Sequence, residues 1–207
     1  MPSFEESFCA AEERALCFLV DSHGFRAIER TVTPDGSDWT GGIVRYRCEG
    51  SEHIATPKGW MVSLAYAPRR LELSLDISDE HGSSFSVEEL HAIVASDPFP
   101  RGTHSLYDSL HDEEAQFTEF NRLAGVLKLS GARFFAGDRS LWLDLRTVRE
   151  RSWQAEEDRR AVARSELAFH AKEWRQVVAE LEPREGRLSK ATNARLAYAR
   201  NRLKSAA

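Results

Sequence analysis

The densest group of side chains able to bind a metal ion lies between positions 104 and 114. It comprises two histidines and four acids: His104, Asp108, His111, Asp112, Glu113 and Glu114. Asp108 and Asp112 would share one face of a helix, and paired carboxylates can hold a divalent cation. The pattern favours the alternative, a solvated acidic turn in which Asp108 or Asp112 caps the next helix. We therefore predict no metal and no cofactor.

Residue patterns for other catalytic chemistry are weaker still. Cys48 and His53 are close in sequence, but no third side chain is placed to orient them as a nucleophile and its base. Neither a Gly-x-Ser-x-Gly elbow nor a His-Glu-x-x-His zinc motif occurs. Thr40-Gly41-Gly42 lacks the lysine of a phosphate-binding loop and precedes a strand, so we interpret it as a turn. These patterns favour a protein that is not an enzyme.

Charge is segregated along the chain. The stretch from Asp76 to Glu119 contains eleven acids and one base, a formal −10 in a chain whose total is −5. Most of these acids fall in predicted turns or first helical turns, where they would be exposed and would attract a basic protein. Four apolar side chains of the same region are candidate anchors within the acidic rim: Phe85, Phe99, Leu106 and Tyr107.

The acidic stretch is therefore the predicted binding surface for a basic protein partner. The predicted contact residues are acids together with two aromatic side chains: Glu88, Glu89, Asp97, Phe99, Tyr107, Asp108, Asp112, Glu113 and Glu114. Such a surface suits a protein that blocks a cationic active site, for example that of a nuclease.

The end of the chain is basic. Residues 151–207 contain thirteen bases and eight acids, a formal +5. Nucleic acid is not the favoured partner, because the bases are spread around a predicted helix and the whole protein is acidic, with pI ≈ 5.8. An alternative function is a helical adaptor or scaffold that uses this segment, as a homo-oligomer in one version.

Hydrophobic periodicity predicts an α+β fold. An amphipathic helix is expected over 4–22, with Ser3 and Glu6 as a capping box and Gly24 as its end. Alternating patterns predict an antiparallel sheet of about four strands, polar on one face and covered by helices on the other. The predicted strands cover 25–33, 43–48, 60–66 and 70–77.

Helices are predicted to dominate the rest of the chain. Ser86 is the expected N-cap of a helix over 87–95, and 96–105 is expected to be a mobile or exposed loop. Helix is predicted again over 110–130. The last segment is expected to form a hairpin of two antiparallel helices, broken near 182–186. We predict two domains, 1–150 and 151–207, with the hairpin docked on the first.

A family resemblance accompanies this order of elements. The helix ending at Gly24-Phe25 and the strands containing Val44-Arg45-Tyr46, Val62–Tyr66 and Arg70–Leu73 resemble bacterial immunity proteins of polymorphic toxin systems. The resemblance covers about residues 4–150. It implies a non-enzymatic protein that neutralises a basic toxin. It assigns no binding residues, because such families vary most at their toxin-binding surfaces.

The cellular location is predicted from three features. Glu12, Glu13 and Arg14 interrupt the first apolar run, so the N-terminal segment does not resemble a signal peptide. The three cysteines are odd in number, which is typical of reduced thiols. No apolar stretch approaches the roughly 18 residues of a membrane span. We therefore expect a cytoplasmic protein without a membrane partner.

Overall fold

The computed structural model describes residues 3–33, 40–51, 53–68, 72–95, 97–100, 102 and 112–205. Contacts between Cα atoms divide the chain into two compact units, Met1–Val148 and Arg149–Ala207, which we call unit 1 and unit 2. The fold is α+β, as predicted: an N-terminal helix and an antiparallel sheet are followed by helices.

Helix α1 spans Phe4–His23 and has the predicted ends. At its start, the Ser3 hydroxyl accepts a hydrogen bond from the Glu6 amide at 3.2 Å, and the Glu6 carboxylate accepts one from the Ser3 amide at 2.8 Å. At its end, Gly24 has φ +65°, and a Cβ there would lie 1.9 Å from Ile54 Cδ1. Only glycine therefore fits this position without a shift of its surroundings.

The described strands form one antiparallel meander, with neighbouring strands paired in chain order. They are Phe25–Thr33 (β1), Gly41–Cys48 (β2), Met61–Ala67 (β3), Glu72–Ser78 (β4) and Ser84–Ser86 (β5). The first four match the four predicted strands. The fifth strand was not predicted, because three residues with serine at both ends show no periodicity.

The two faces of the sheet differ as the alternation of side chains predicts. Tyr46, Val62 and Ile77 pair across β2, β3 and β4 and are buried. The aromatic rings of α1, the sheet and the helix Glu113–Ser130 pack within one core, where Phe8 lies 6.4 Å from Tyr66 and 5.7 Å from Phe120 between ring centroids. These two helices thus provide the predicted cover of the apolar face.

Six further helices follow the sheet within the described residues. They are Val87–Val94 (α2), Glu113–Ser130 (α3), Ala132–Phe135 (α4), Leu141–His170 (α5), Trp174–Leu181 (α6) and Lys190–Ser205 (α7). A 3-10 turn, Glu182–Arg187, joins α6 to α7. None of the helices in the described ranges is both long and apolar enough to cross a membrane.

Unit 2 differs from the predicted hairpin of two helices. Helix α5 runs without interruption through position 150, and a break that was not predicted separates it from α6. Lys172 has φ +60° at this break, and the Glu173 amide donates to the Ala168 carbonyl at 2.9 Å. These are features of a Schellman-type helix end, which glycine normally forms. The docking of the hairpin on the first domain stays a prediction.

Candidate functional site

The start of α2 supplies the first two predicted contact residues. Ser86 caps the helix: its hydroxyl accepts from the Glu89 amide at 3.3 Å, and the Glu89 carboxylate accepts from the Ser86 amide at 2.9 Å. Glu89 is therefore engaged in holding the helix end. Glu88, the preceding residue, is exposed. Of this pair, Glu88 is the acid available to a partner.

The loop after α2 is tethered to two helices. The His91 ring lies on α2, with Nε2 3.1 Å from the Asp97 carbonyl oxygen and Nδ1 3.3 Å from the Ser130 hydroxyl of α3. Because a carbonyl only accepts, Nε2 is the donor in the contact with the Asp97 carbonyl oxygen. The Phe99 ring meets the His91 ring edge-on at 5.8 Å. Asp97 is exposed beside this contact.

Arg122 of α3 fixes the same loop from the other side. Its Nη1 donates to the Pro100 carbonyl at 2.7 Å, and its guanidinium lies 5.7 Å from the centre of the Phe99 ring. Its Nε donates to the buried Glu119 carboxylate at 2.9 Å. The described part of the predicted mobile or exposed loop is thus exposed at Asp97 but anchored by polar contacts.

The start of α3 holds three further predicted residues. Asp112 is the N-cap, and its carboxylate accepts from the amides of Glu114 and Ala115 at 3.0 and 3.1 Å. Arg14 of α1 donates to Glu113 at 2.8 Å and to Glu114 at 3.0 Å, and its guanidinium lies 4.0 Å from the Phe117 ring centre. Glu113 and Glu114 are thus bound by an arginine of the same chain.

Several predicted residues lie outside the described part of the chain, and one predicted anchor is buried. Tyr107, Asp108, Leu106, His104 and His111 all fall in the undescribed segment 103–111. Phe85 is buried in the core of unit 1, so its prediction as an exposed anchor was wrong. It faces inward because it pairs with Ile77 on the apolar side of the sheet.

The described acids of the Asp76–Glu119 stretch are mostly engaged within unit 1. Four bind arginines of the same unit: Glu80 with Arg139, Glu113 and Glu114 with Arg14, and Glu119 with Arg122 of its own helix. Asp79 accepts backbone amides of its own turn, from His81 and Ser83. Glu88 and Asp97 are exposed and have no ion pair among the described residues.

These two acids flank one histidine. Glu88 precedes His91 by three residues on α2, so the two side chains are neighbours on the helix surface. The His91 ring in turn contacts the Asp97 carbonyl and the Phe99 ring. We call the patch formed by Glu88, His91, Asp97 and Phe99 the His91 patch. The structure links neither Glu113 nor Glu114 to it by a direct contact.

Metal binding finds no support in the described residues. No group of three or more histidine, cysteine or acidic side chains is arranged there to hold a metal ion. Of the predicted ligand group only Asp112, Glu113 and Glu114 are described. Asp112 caps α3, which is the alternative that its position before the helix favoured.

A buried ionic group lies elsewhere in unit 1. Glu12 of α1 has 0% exposure, and its carboxylate accepts from Arg30 of β1 at 2.8 Å and from the Tyr46 hydroxyl of β2. Burial raises the pKa of Glu12, while the hydrogen bonds from Tyr46 and Arg30 oppose the rise. Burial also raises the pKa of Tyr46, reinforced by the nearby carboxylate. This group ties α1 to two strands.

This buried group was not predicted from the sequence. The position of Glu12 in the helical pattern of α1 nevertheless indicates it. Glu12 lies four residues after Phe8 and four before Leu16, both of which are buried. It is therefore on the apolar face of α1, where a carboxylate requires a partner.

Comparison of the chain with family models, curated proteins and solved structures found no match.

Among the described residues, seven arginines of unit 2 form ion pairs within their own unit. Asp158 binds Arg187 at 2.7 Å and Arg184 at 3.3 Å. Further pairs join arginines to acids of neighbouring helices and turns: Arg164 with Glu180, Arg195 with Glu166, and Arg200 with Glu182 and Glu185. Hydrogen bonds from arginines lower the pKa of Asp158, Glu180 and Glu185.

Three aromatic rings gather between the helices of unit 2. The centroid of Phe169 lies 5.3 Å from Trp174 and 5.5 Å from Tyr198, and the latter two are 5.6 Å apart. Tyr198 is exposed and the other two are half-buried. The Arg202 guanidinium lies 5.2 Å from the Tyr198 ring centre. This aromatic cluster is accessible to a partner at its Tyr198 side.

Proposed function

We propose that the chain is a non-enzymatic cytosolic protein that binds a basic protein partner through the His91 patch of unit 1. The observation that carries the proposal is the exposure of Glu88 and Asp97. Among the described residues they have no basic partner, in a stretch where most acids are bound by an arginine or by the backbone. Unmatched carboxylates on a structured surface attract cationic groups and raise the association rate.

The arrangement around the patch fits recognition of an arginine or lysine side chain. Phe99 packs beside the His91 ring near the exposed Asp97, and the tethers from His91 and Arg122 hold the loop in place. A preorganised loop loses less conformational entropy when a partner binds. The same combination of carboxylate and ring binds a guanidinium elsewhere in unit 1, where Arg14 lies over Phe117.

A toxin with a cationic active site is the partner class that we propose. The order of helix, meander and helices resembles immunity proteins, and an acidic patch suits the neutralisation of a nuclease-like target. The resemblance itself supplies no contact residues, so the His91 patch is argued from its exposure and charge alone.

The test is an affinity pull-down of the tagged chain from its native cell, at low and moderate salt, with Glu88→Lys and Asp97→Lys beside wild type. We expect one stoichiometric basic partner, weakened by salt, whose capture falls about tenfold in each variant. Both side chains are exposed, so neither substitution should unfold unit 1.

Glu72→Lys is the matched control, because Glu72 is an exposed acid of β4 outside the patch. It makes the same charge change and should leave capture intact. Full capture by the double variant of Glu88 and Asp97 would refute the patch, and so would equal losses in all three variants.

A helical adaptor or scaffold is the second candidate function. The aromatic cluster of Phe169, Trp174 and Tyr198 favours it, because aromatic side chains with an exposed edge are common at protein interfaces. Here Tyr198→Ala would abolish partner capture while Glu88→Lys would not. The opposite result would assign binding to unit 1.

A further inference from the structure

One face of α5 within unit 2 exposes two large apolar side chains. Trp153 is 75% exposed and Leu167 is 73% exposed. They lie fourteen residues apart with Arg160 midway, so all three positions follow a seven-residue spacing and share one face of the helix. Apolar side chains repeated at this spacing on an exposed helix are typical of a helix–helix contact.

The same face contains a hollow of suitable shape. A depression of about 310 Å³ is lined by four side chains: Trp153, Glu156, Glu157 and Arg160. These are positions i, i+3, i+4 and i+7, the four that form the hole for an incoming side chain when two helices pack. The indole forms one wall, so an aliphatic side chain fits the hollow. Leu167 is such a side chain at the other end of the face.

We propose that this face of α5 binds the same face of a second copy of the chain, with the two helices antiparallel. Trp153 and Leu167 each lie seven residues from Arg160. An antiparallel pair centred there places Leu167 of each copy opposite Trp153, at the end of the hollow of the other. The contact is isologous: the same patch is used twice, as in a twofold dimer.

The charges of the face agree with this orientation. Glu156 and Arg164 each lie four residues from Arg160, so opposite charges meet across an antiparallel pair. A parallel pair would place like charges opposite each other. Arg160 of each copy lies at the twofold axis of this pair, so the two arginines would repel each other. Glu156 and Glu157 of the same helix bind Arg160 at 3.0 and 3.5 Å and reduce that repulsion. Arg164 also binds Glu180 of its own copy at 2.9 Å.

The expected affinity is modest. The face covers roughly 21 Å of helix, which is small for a protein interface, so we expect a dissociation constant on the order of 10–100 μM. This proposal rests on the second candidate function and names its partner. The His91 patch takes no part in it, so a failure here leaves the binding proposal for unit 1 untouched.

Sedimentation velocity of the full chain over about 1–300 μM tests the association. We expect wild type to pass from monomer to dimer with concentration. Trp153→Ala and Leu167→Ala should each raise the half-dimerisation concentration at least about tenfold. Leu143→Ala is the matched control, because Leu143 is 67% exposed on the same helix but lies outside this face. Thermal melts by circular dichroism would verify that all variants are folded.

Cross-linking tests the orientation. Cys17 is exposed, so the experiment starts from Cys17→Ser. In that background, a mixture of W153C and L167C proteins should form an intermolecular disulfide, and neither variant alone should do so. A monomer at every concentration would overturn the proposal. Association undiminished in both alanine variants would overturn it as well, and so would a disulfide formed by L167C protein alone.

Discussion

Unit 1 and unit 2 are stabilised in different ways. Unit 1 has a core of large aromatic side chains, in which Trp60 stacks on Phe134 at 5.2 Å and meets Trp142 at 5.0 Å. The buried apolar cluster of unit 2 comprises five smaller residues: Ala168, Val177, Leu181, Leu196 and Ala199. A core of this size contributes less apolar burial, so the ion pairs between helices matter relatively more in unit 2.

The ionic groups of the two units also differ in burial. Unit 1 holds a carboxylate with a raised pKa, Glu12, at its centre. In unit 2 the acids bound by arginines, Asp158, Glu180 and Glu185, have lowered pKa values. The comparison teaches that many charges of a segregated sequence are paired inside each unit, although unit 1 keeps a formal charge of −10 and unit 2 one of +5. The acids of the Asp76–Glu119 stretch that stay unpaired after folding therefore carry more information about a partner than the net charge does.

The largest expected effect contrasts two tryptophans. Trp60→Ala should destabilise the chain by about 3–5 kcal/mol, because it removes a buried ring and leaves a cavity. Trp153→Ala, in unit 2, should change the free energy of unfolding by less than about 0.5 kcal/mol at concentrations where the chain is monomeric. Urea denaturation of both variants measures the difference. Equal losses would mean that the aromatic core is not what stabilises unit 1.

A second prediction uses the pH dependence of Glu12. Its folded-state pKa lies above that of the unfolded chain, so its contribution to stability is full below about pH 4.5 and is lost as the pH rises through the raised value. The stability of wild type relative to Glu12→Gln should therefore fall with rising pH. Denaturation of both proteins at several pH values measures this. A relative stability that rises with pH would contradict the raised pKa.

A third prediction concerns the end of α5. Lys172 has φ +60°, a conformation that a Cβ makes unfavourable, so Lys172→Gly should stabilise unit 2 by about 1 kcal/mol. Lys172→Ala is the control, since it removes the long side chain but keeps the Cβ, and it should give no such gain. Thermal melts of the two variants distinguish them. Equal stability would argue against a left-handed residue at this break.

The smallest expected effect tests the surface pairs of unit 2. Asp158→Asn removes the partner of Arg184 and Arg187 and should cost less than about 1 kcal/mol, because such pairs are partly screened by solvent. The pKa of Asp158 is lowered, so its contribution is present above about pH 3.8 and is lost as the pH falls through the lowered value. This direction is opposite to that of Glu12. A cost unchanged by acid or by high salt would contradict an ionic origin.

The sequence predicts the parts of the fold that depend on local signals. The capping box at Ser3, the N-cap at Ser86 and the alternation in β2, β3 and β4 are such signals, and the structure confirms them. The break at Lys172 carries no such signal, because a lysine stands where glycine is usual. β5 is defined only by its pairing with β4, which no local pattern encodes.

The candidate site was predictable only in part. The sequence identifies the acids, but not which of them Arg14 and Arg139 engage, since those contacts join distant segments. The role of His91 as the side chain that joins α2 and α3 to the Asp97 loop likewise depends on tertiary structure. The patch is identified by the acids that stay exposed after folding. Their presence in an acidic stretch of the sequence is not enough to identify it.

The most direct test of binding through unit 1 is the association rate of the chain with its captured partner, measured by surface plasmon resonance over a series of salt concentrations. We predict a rate constant that falls steeply with ionic strength, with a shallower slope for Glu88→Lys and an unchanged slope for Glu72→Lys. A rate constant independent of salt, or the same slope for all three proteins, would contradict binding through the His91 patch.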